Sequence, residues 1–170
     1  MKKLLTTIIV FIVLQASAQK AIEPTENFVV EGDVKQPQTF SLQSFSGMAV
    51  TQTDSIVITN HLHERKGVIK NIKGVLLKDV LNKLTIDQDD PKLLSEYYIV
   101  CTASDNYKVV FSWNEIFNSE TGKHVLIITE QEGKKSASVN NRIALISLND
   151  EATGRRYVKG LKRISIERVQ

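Results

Sequence analysis

One cysteine, three histidines and one tryptophan stand among 170 residues, and each scarcity removes a class of protein. With Cys101 alone, no intrachain disulfide can form and no paired-cysteine zinc spacing exists. Stability must then come from the apolar core. Set in the apolar run Tyr97-Tyr98-Ile99-Val100-Cys101, the thiol reads most simply as a small buried hydrophobe, with a reactive or metal-binding thiol as the alternative. The eight glycines are nowhere gathered into a phosphate-cradling loop, and neither G-x-S-x-G nor H-E-x-x-H occurs. A serine hydrolase or zinc peptidase is therefore disfavoured. Aromatic side chains are not interleaved with a strongly basic face, which argues against nucleic acid as a partner.

Long apolar runs are also missing, except at the start of the chain. There Lys2 and Lys3 precede the mostly apolar stretch Leu4 to Leu14, and Ala16-Ser17-Ala18 supplies small residues at a cleavage point. That is the pattern of a secretory signal peptide over residues 1–18. The run is shorter than the roughly 20 residues a membrane span needs, so no stable membrane insertion is expected after cleavage. Gln19 rather than cysteine follows the cut, which gives no support for a lipid anchor. The expectation is an exported protein, periplasmic or secreted, with residues 19–170 as one domain large enough for a true core.

Charge is unevenly distributed. Residues 19–132 hold 11 basic and 16 acidic residues, whereas 133–170 hold 9 basic and 3 acidic. Such a split marks either an anion-binding end or two segments that neutralise each other across one fold.

The chain is organised around Tyr97 to Phe117. An apolar strand, a polar corner at Ser104-Asp105-Asn106 and a second strand from Tyr107 to Phe111 lead into Ser112-Trp113-Asn114-Glu115, which fits a helix capping box. Upstream, Phe28–Val34 and Thr51–Asn60 read as strands, Phe40–Leu42 as strand or helix, and His61–Asn71 as a polar loop. Apolar residues at 76, 77, 80, 81 and 84 predict a helix over Gly74–Leu84. Downstream, His124–Thr129 reads as a strand covered on both faces, Arg142–Ser147 as another, and Tyr157–Val169 as a closing segment anchored by Leu161, Ile164 and Ile166. Many short strands with few helices predict an α+β domain on a mixed β-sheet.

Three groups of residues have chemical potential. His61 and His63, two apart, would share a face if the segment were a strand and could grip one divalent metal, but a third ligand is needed and His124 is the only other histidine. In a charged loop the same pair is simply solvated. Arg155, Arg156, Lys159, Lys162 and Arg163 could hold an anion through paired donors, or could be the solvated charges of an edge strand. Asp105, Asn106 and Tyr107 form either a turn or the wall of a pocket, where the tyrosine offers a ring and a hydroxyl.

With these residues in view, the chain resembles the molybdopterin-binding domain of the sulfite oxidase family, in a small exported single-domain version. The likeness runs from about Phe28 to Val169. It is carried by Val30-Glu31-Gly32-Asp33-Val34 with Pro37, by Lys73-Gly74-Val75-Leu76-Leu77-Lys78-Asp79-Val80-Leu81, and by Ala103-Ser104-Asp105-Asn106-Tyr107 followed by Phe111-Ser112 and Glu115-Ile116. Arg156-Tyr157-Val158-Lys159 and Ile164-Ser165-Ile166 resemble its closing strand.

The resemblance implies a mixed α+β fold able to seat a molybdenum–molybdopterin cofactor and, with it, oxidoreductase chemistry. In active members a cysteine thiolate holds the metal from a segment between the first strands and the helix at Gly74. Ile58 to Arg65 contains no cysteine, and Cys101 does not match that position. No metal ligand carries over. Two readings follow: a molybdopterin-type oxidoreductase or cofactor-binding relative, and a non-enzymatic exported module that binds a small ligand or a protein. Under either, a pocket for a small anion or a pterin is expected beside His61, His63, Asp105 and Tyr107, with Arg155 and Arg156 as anion contacts.

Overall fold

The computed structural model describes residues 21–139 and 143–170. The expected signal peptide, residues 1–18, lies outside the described residues, as does Arg142 at the start of one expected strand.

Two sheets make the domain. The first takes β1 (Asn27–Gly32), β2 (Gln38–Ser41), β5 (Tyr97–Ala103), β6 (Lys108–Ser112) and β11 (Leu161–Arg168) in the order β2-β1-β11-β5-β6. The second takes β3 (Thr51–Thr59), β4 (Arg65–Leu76), β7 (Val125–Gln131), β9 (Ala144–Ser147) and β10 (Tyr157–Lys159) in the order β10-β9-β7-β4-β3, with β8 (Lys134–Lys135) paired to β7. Among the described residues only β1 and β11 pair in parallel; the other pairings are antiparallel. With two five-residue helices, α1 (Leu77–Leu81) and α2 (Trp113–Phe117), the domain is mainly β and consistent with the α+β class.

Strand β7 shows how the core is divided. Val125, Leu126, Ile127 and Ile128 are all buried, at 0–1% exposure. Alternation sends Val125 and Ile127 into the core between the sheets, with Phe28, Ile99, Phe111 and Ile164, and sends Leu126 and Ile128 into a second cluster with Ile56, Ile72 and Ile146. That second face is enclosed because the sheet curls back on itself. The 3₁₀ turn Thr153–Arg156 leads into β10 at one edge yet bonds β3 at the other: Thr59 N donates to Thr153 Oγ1 (3.0 Å), and Thr153 Oγ1 donates to the Val57 carbonyl (2.7 Å). Gly160, at φ +63°, is the corner where the chain leaves β10 for β11 and changes sheets. A side chain there would meet the Glu23 carbonyl at 2.6 Å, so the corner requires glycine.

Three expectations are corrected. Residues 65–71 form strand β4 rather than a loop. In the ladder Arg65–Lys70 pairs with β3 and β7 joins from Lys73 onward, so this half is a largely solvated two-stranded arm, with Ile69 packed against the second cluster and the Lys70 carbonyl accepting the Glu132 amide at 2.7 Å. The helix expected over Gly74–Leu84 shrinks to Leu77–Leu81, because Gly74, Val75 and Leu76 pair with β7. The basic closing segment is an edge strand only in β10, which carries Lys159; the part that carries Lys162 and Arg163 is not. β11 lies between β1 and β5, and its charges occupy the outward positions while Leu161, Ile164 and Ile166 point into the core. There Arg163 pairs with Glu31 (3.2 Å) and Arg168 with Glu96 (2.6 Å). The basic end is thereby neutralised in part by the acidic first segment.

Candidate functional site: a charged cavity between the sheets

A cavity of about 690 Å³ opens where four segments meet: the end of β3 with the turn that follows, the start of β4, the β5–β6 corner, and the stretch from Gly154 to Lys159. Each wall has its own local cause. At the β3–β4 turn, Asn60 Oδ1 accepts the Leu62 and Glu64 amides (both 3.0 Å), and Asn60 Nδ2 donates to Glu64 Oε2 (2.9 Å). This Asx geometry, with His63 at φ +58°, bends the chain tightly. Lys66 Nζ reaches the same Glu64 oxygen at 2.9 Å, and with Asn60 it holds the Glu64 carboxyl below the usual carboxylate range.

The β5–β6 corner repeats the device. Asp105 Oδ1 accepts the Tyr107 amide (2.9 Å), Asn106 takes φ +71°, and Ala103 N donates to the Tyr107 carbonyl (2.8 Å). Ser104 is 4% exposed and bonds the Glu23 backbone twice, accepting from its amide and donating to its carbonyl (both 2.8 Å). This strap brings Ile22 to the cavity wall.

The turn Thr153–Arg156 is clamped from both sides. Gly154 lies so close to β3 that a Cβ would stand 2.5 Å from the Thr59 carbonyl oxygen. From the other sheet, the Tyr107 hydroxyl donates to the Arg155 carbonyl. The two arginines then diverge. Arg155 lines the cavity, and among the described residues its guanidinium makes no ion pair. Arg156 is bound to Asp150 through two bonds of 2.6 Å and to Glu115 at 3.0 Å, and its guanidinium lies 4.4 Å over the Phe111 ring. It ties α2 to the β9–β10 connection and does not line the cavity.

Of the residues singled out in the sequence, His61, Asp105, Tyr107, Arg155 and Lys159 line this cavity, while His63, Asn106, Arg156, Lys162 and Arg163 do not. The shared-face geometry for His61 and His63 is absent, because both sit in a turn where strand alternation does not apply. His124 bonds the Glu120 carbonyl at the turn before β7. No group of three metal-ligating side chains occurs among the described residues. Sequence reading missed Lys66, Asn60 and Tyr157. Asn60 carried a signal, since Asn four residues before Glu at a strand end is turn chemistry.

Molybdenum of the kind implied by the resemblance needs a thiolate, and the donor set does not supply one. Cys101 is 0% exposed, faces the core from β5, and its thiol is pushed up to about 12 by burial. The residues present do not fit the metal. In the native protein a maleimide is expected to leave Cys101 unlabelled over the time in which it labels the urea-unfolded chain fully. Rapid native labelling would show that β5 opens.

No family model matches the chain, nor does any curated protein sequence. Among solved structures, the fold is similar to that of the sulfane dehydrogenase SoxCD from Paracoccus pantotrophus, with a TM-score of 0.57 at 13% sequence identity. The match covers 83% of this chain and 38% of that one. At this identity what is shared is the fold.

Proposed function

We propose that this protein is an exported, non-catalytic module that binds a small anion on a scaffold of the sulfite oxidase kind. The observation that carries this reading is the cavity between the sheets, which Arg155 and Lys159 line together with Asp105 and with Lys66, whose ammonium is paired with Glu64. Arg155 is fixed at its backbone and, among the described residues, has no ion pair at its guanidinium, which leaves it open to an oxyanion. The Tyr107 and Tyr157 side chains and Ile22 add apolar wall, so a flat organic anion such as a pterin carrying phosphate is within the class. Lys159 Nζ lies 5.0 Å over the Tyr157 ring, which keeps its charge near the wall.

The oxidoreductase reading is favoured by the fold shared with a dehydrogenase. It lacks a thiolate to hold the metal.

Elemental analysis separates the two. Protein purified from the exported fraction is expected to carry no stoichiometric molybdenum, and phosphate titrated by calorimetry should bind with an affinity that Arg155→Ala lowers at least about tenfold. One molybdenum per chain, with a fluorescent pterin released on oxidation, would overturn the proposal.

A further inference from the structure

The cavity holds charges of both signs that do not satisfy each other. Asp105 Oδ1 is taken by the Tyr107 amide, while among the described residues the Asp105 carboxylate forms no ion pair with Lys66, Arg155 or Lys159. Elsewhere in this molecule acids and bases that can meet do so, as Arg156 does with Asp150 and Glu115 and Lys73 does with Glu130. Unpaired opposite charges on one concave surface present two separate complementary features to a ligand.

We infer that the ligand is dipolar: an oxyanion held by Arg155 and Lys159, joined through a flat body to an ammonium or N–H donor received by Asp105. This deepens the anion-binding reading and rests on it. A simple anion would use the cations and gain nothing from Asp105, whose negative charge would repel it. A dipolar ligand converts that repulsion into a charge-assisted hydrogen bond. The cavity volume of about 690 Å³ lies within the range that accepts a small aromatic molecule.

Three probes of one shape separate the possibilities: phenyl phosphate carries the anion only, tyramine the cation only, and tyramine phosphate both. Calorimetric titration should give tyramine phosphate at least about tenfold tighter binding than either of the others, the factor one charge-assisted contact supplies. Asp105→Asn keeps a side-chain oxygen for the Tyr107 amide, so the corner should fold unchanged. This variant is expected to bind tyramine phosphate no better than phenyl phosphate, and phenyl phosphate as well as the parent does or better. Arg155→Ala should weaken both phosphates. Equal binding of the two phosphates to the parent protein overturns the dipolar ligand while leaving the anion site standing. If neither phosphate binds at millimolar concentration, the anion-binding reading falls with it. A loss of all binding in Asp105→Asn, together with a lowered melting temperature, would assign Asp105 a structural role and overturn the inference.

Discussion

Arg156→Ala should lower the stability of this domain by about 2–3 kcal/mol, seen as a fall of roughly 5–10 °C in melting temperature. The side chain is 22% exposed and its partner Asp150 14% exposed, so the fork lies between a surface pair and a buried one. Removing it strands two carboxylates at once. One of them, Glu115, also accepts the Ser112 amide at 2.7 Å in the capping box of α2. Arg156→Lys should recover less than half of the loss, because an ammonium cannot reproduce two parallel bonds to Asp150.

The acid limb of stability follows from the same contacts. Burial works to raise the Glu115 carboxyl, but the Ser112 amide, the Arg156 guanidinium and the Ser112 hydroxyl outweigh it and hold Glu115 below its ordinary value of 4.5. A carboxylate depressed in the folded state contributes stability that is complete above its unfolded value and is lost as the pH falls through the folded one. The difference between parent and Arg156→Ala should therefore be largest near neutrality and shrink below about pH 4.5. Denaturant titrations at several pH values measure it. A difference that stayed constant with pH would remove the ionic account of this tie.

The second large effect is expected at Gly154. Gly154→Ala should cost about 2–4 kcal/mol and weaken anion binding by at least about tenfold. The added methyl meets a backbone carbonyl, Thr59 O, at 2.5 Å, and backbone in a paired strand cannot swing aside. Moving the turn away breaks the bonds between Thr153 and β3, at 3.0 Å, 2.7 Å and 3.2 Å, that join the two ends of the curled sheet. Arg155, the next residue, moves with them. Hydrogen exchange at the Thr59 amide should rise by a comparable free energy. Gly67→Ala is the control: open space surrounds it and its φ is not positive, so a change within about 0.5 kcal/mol is expected. If Gly154→Ala matched that control, the closure of the sheet would not depend on this contact.

The parts of the fold that could be read along the chain are those whose cause is local or whose burial is complete. The capping box is one: the Ser112 hydroxyl accepts the Glu115 amide at 3.1 Å, and the Glu115 carboxylate accepts the Ser112 amide, three residues apart. The unbroken apolar run of β7 is another, since a strand between two cores has no solvent face to mark with polar residues, whereas β5 has one core face and leaves Tyr98 and Val100 half-buried on the other. The Asp105–Tyr107 corner is set by an Asx bond two residues long. Strand β4 was hidden for the opposite reason. Its first half buries little, and a solvated hairpin arm has the composition of a loop. The run of apolar residues after Gly74 combined the end of a strand with the start of a helix, which periodicity cannot separate.

The site divides in the same way. By itself the sequence determined that there is one thiol, that no thiolate stands where the resemblance would need one, and that the basic residues gather toward the end of the chain. Only the tertiary structure decided which of two adjacent arginines is bound into the framework and which lines the cavity. Arg156 finds its second carboxylate 41 residues away, Arg155 is fixed by a hydroxyl 48 residues away, and the turn that carries both is held by a threonine 94 residues away. Propensity and periodicity act over a few neighbours, whereas the direction of a long side chain is set by whichever distant partner the fold brings within hydrogen-bonding reach.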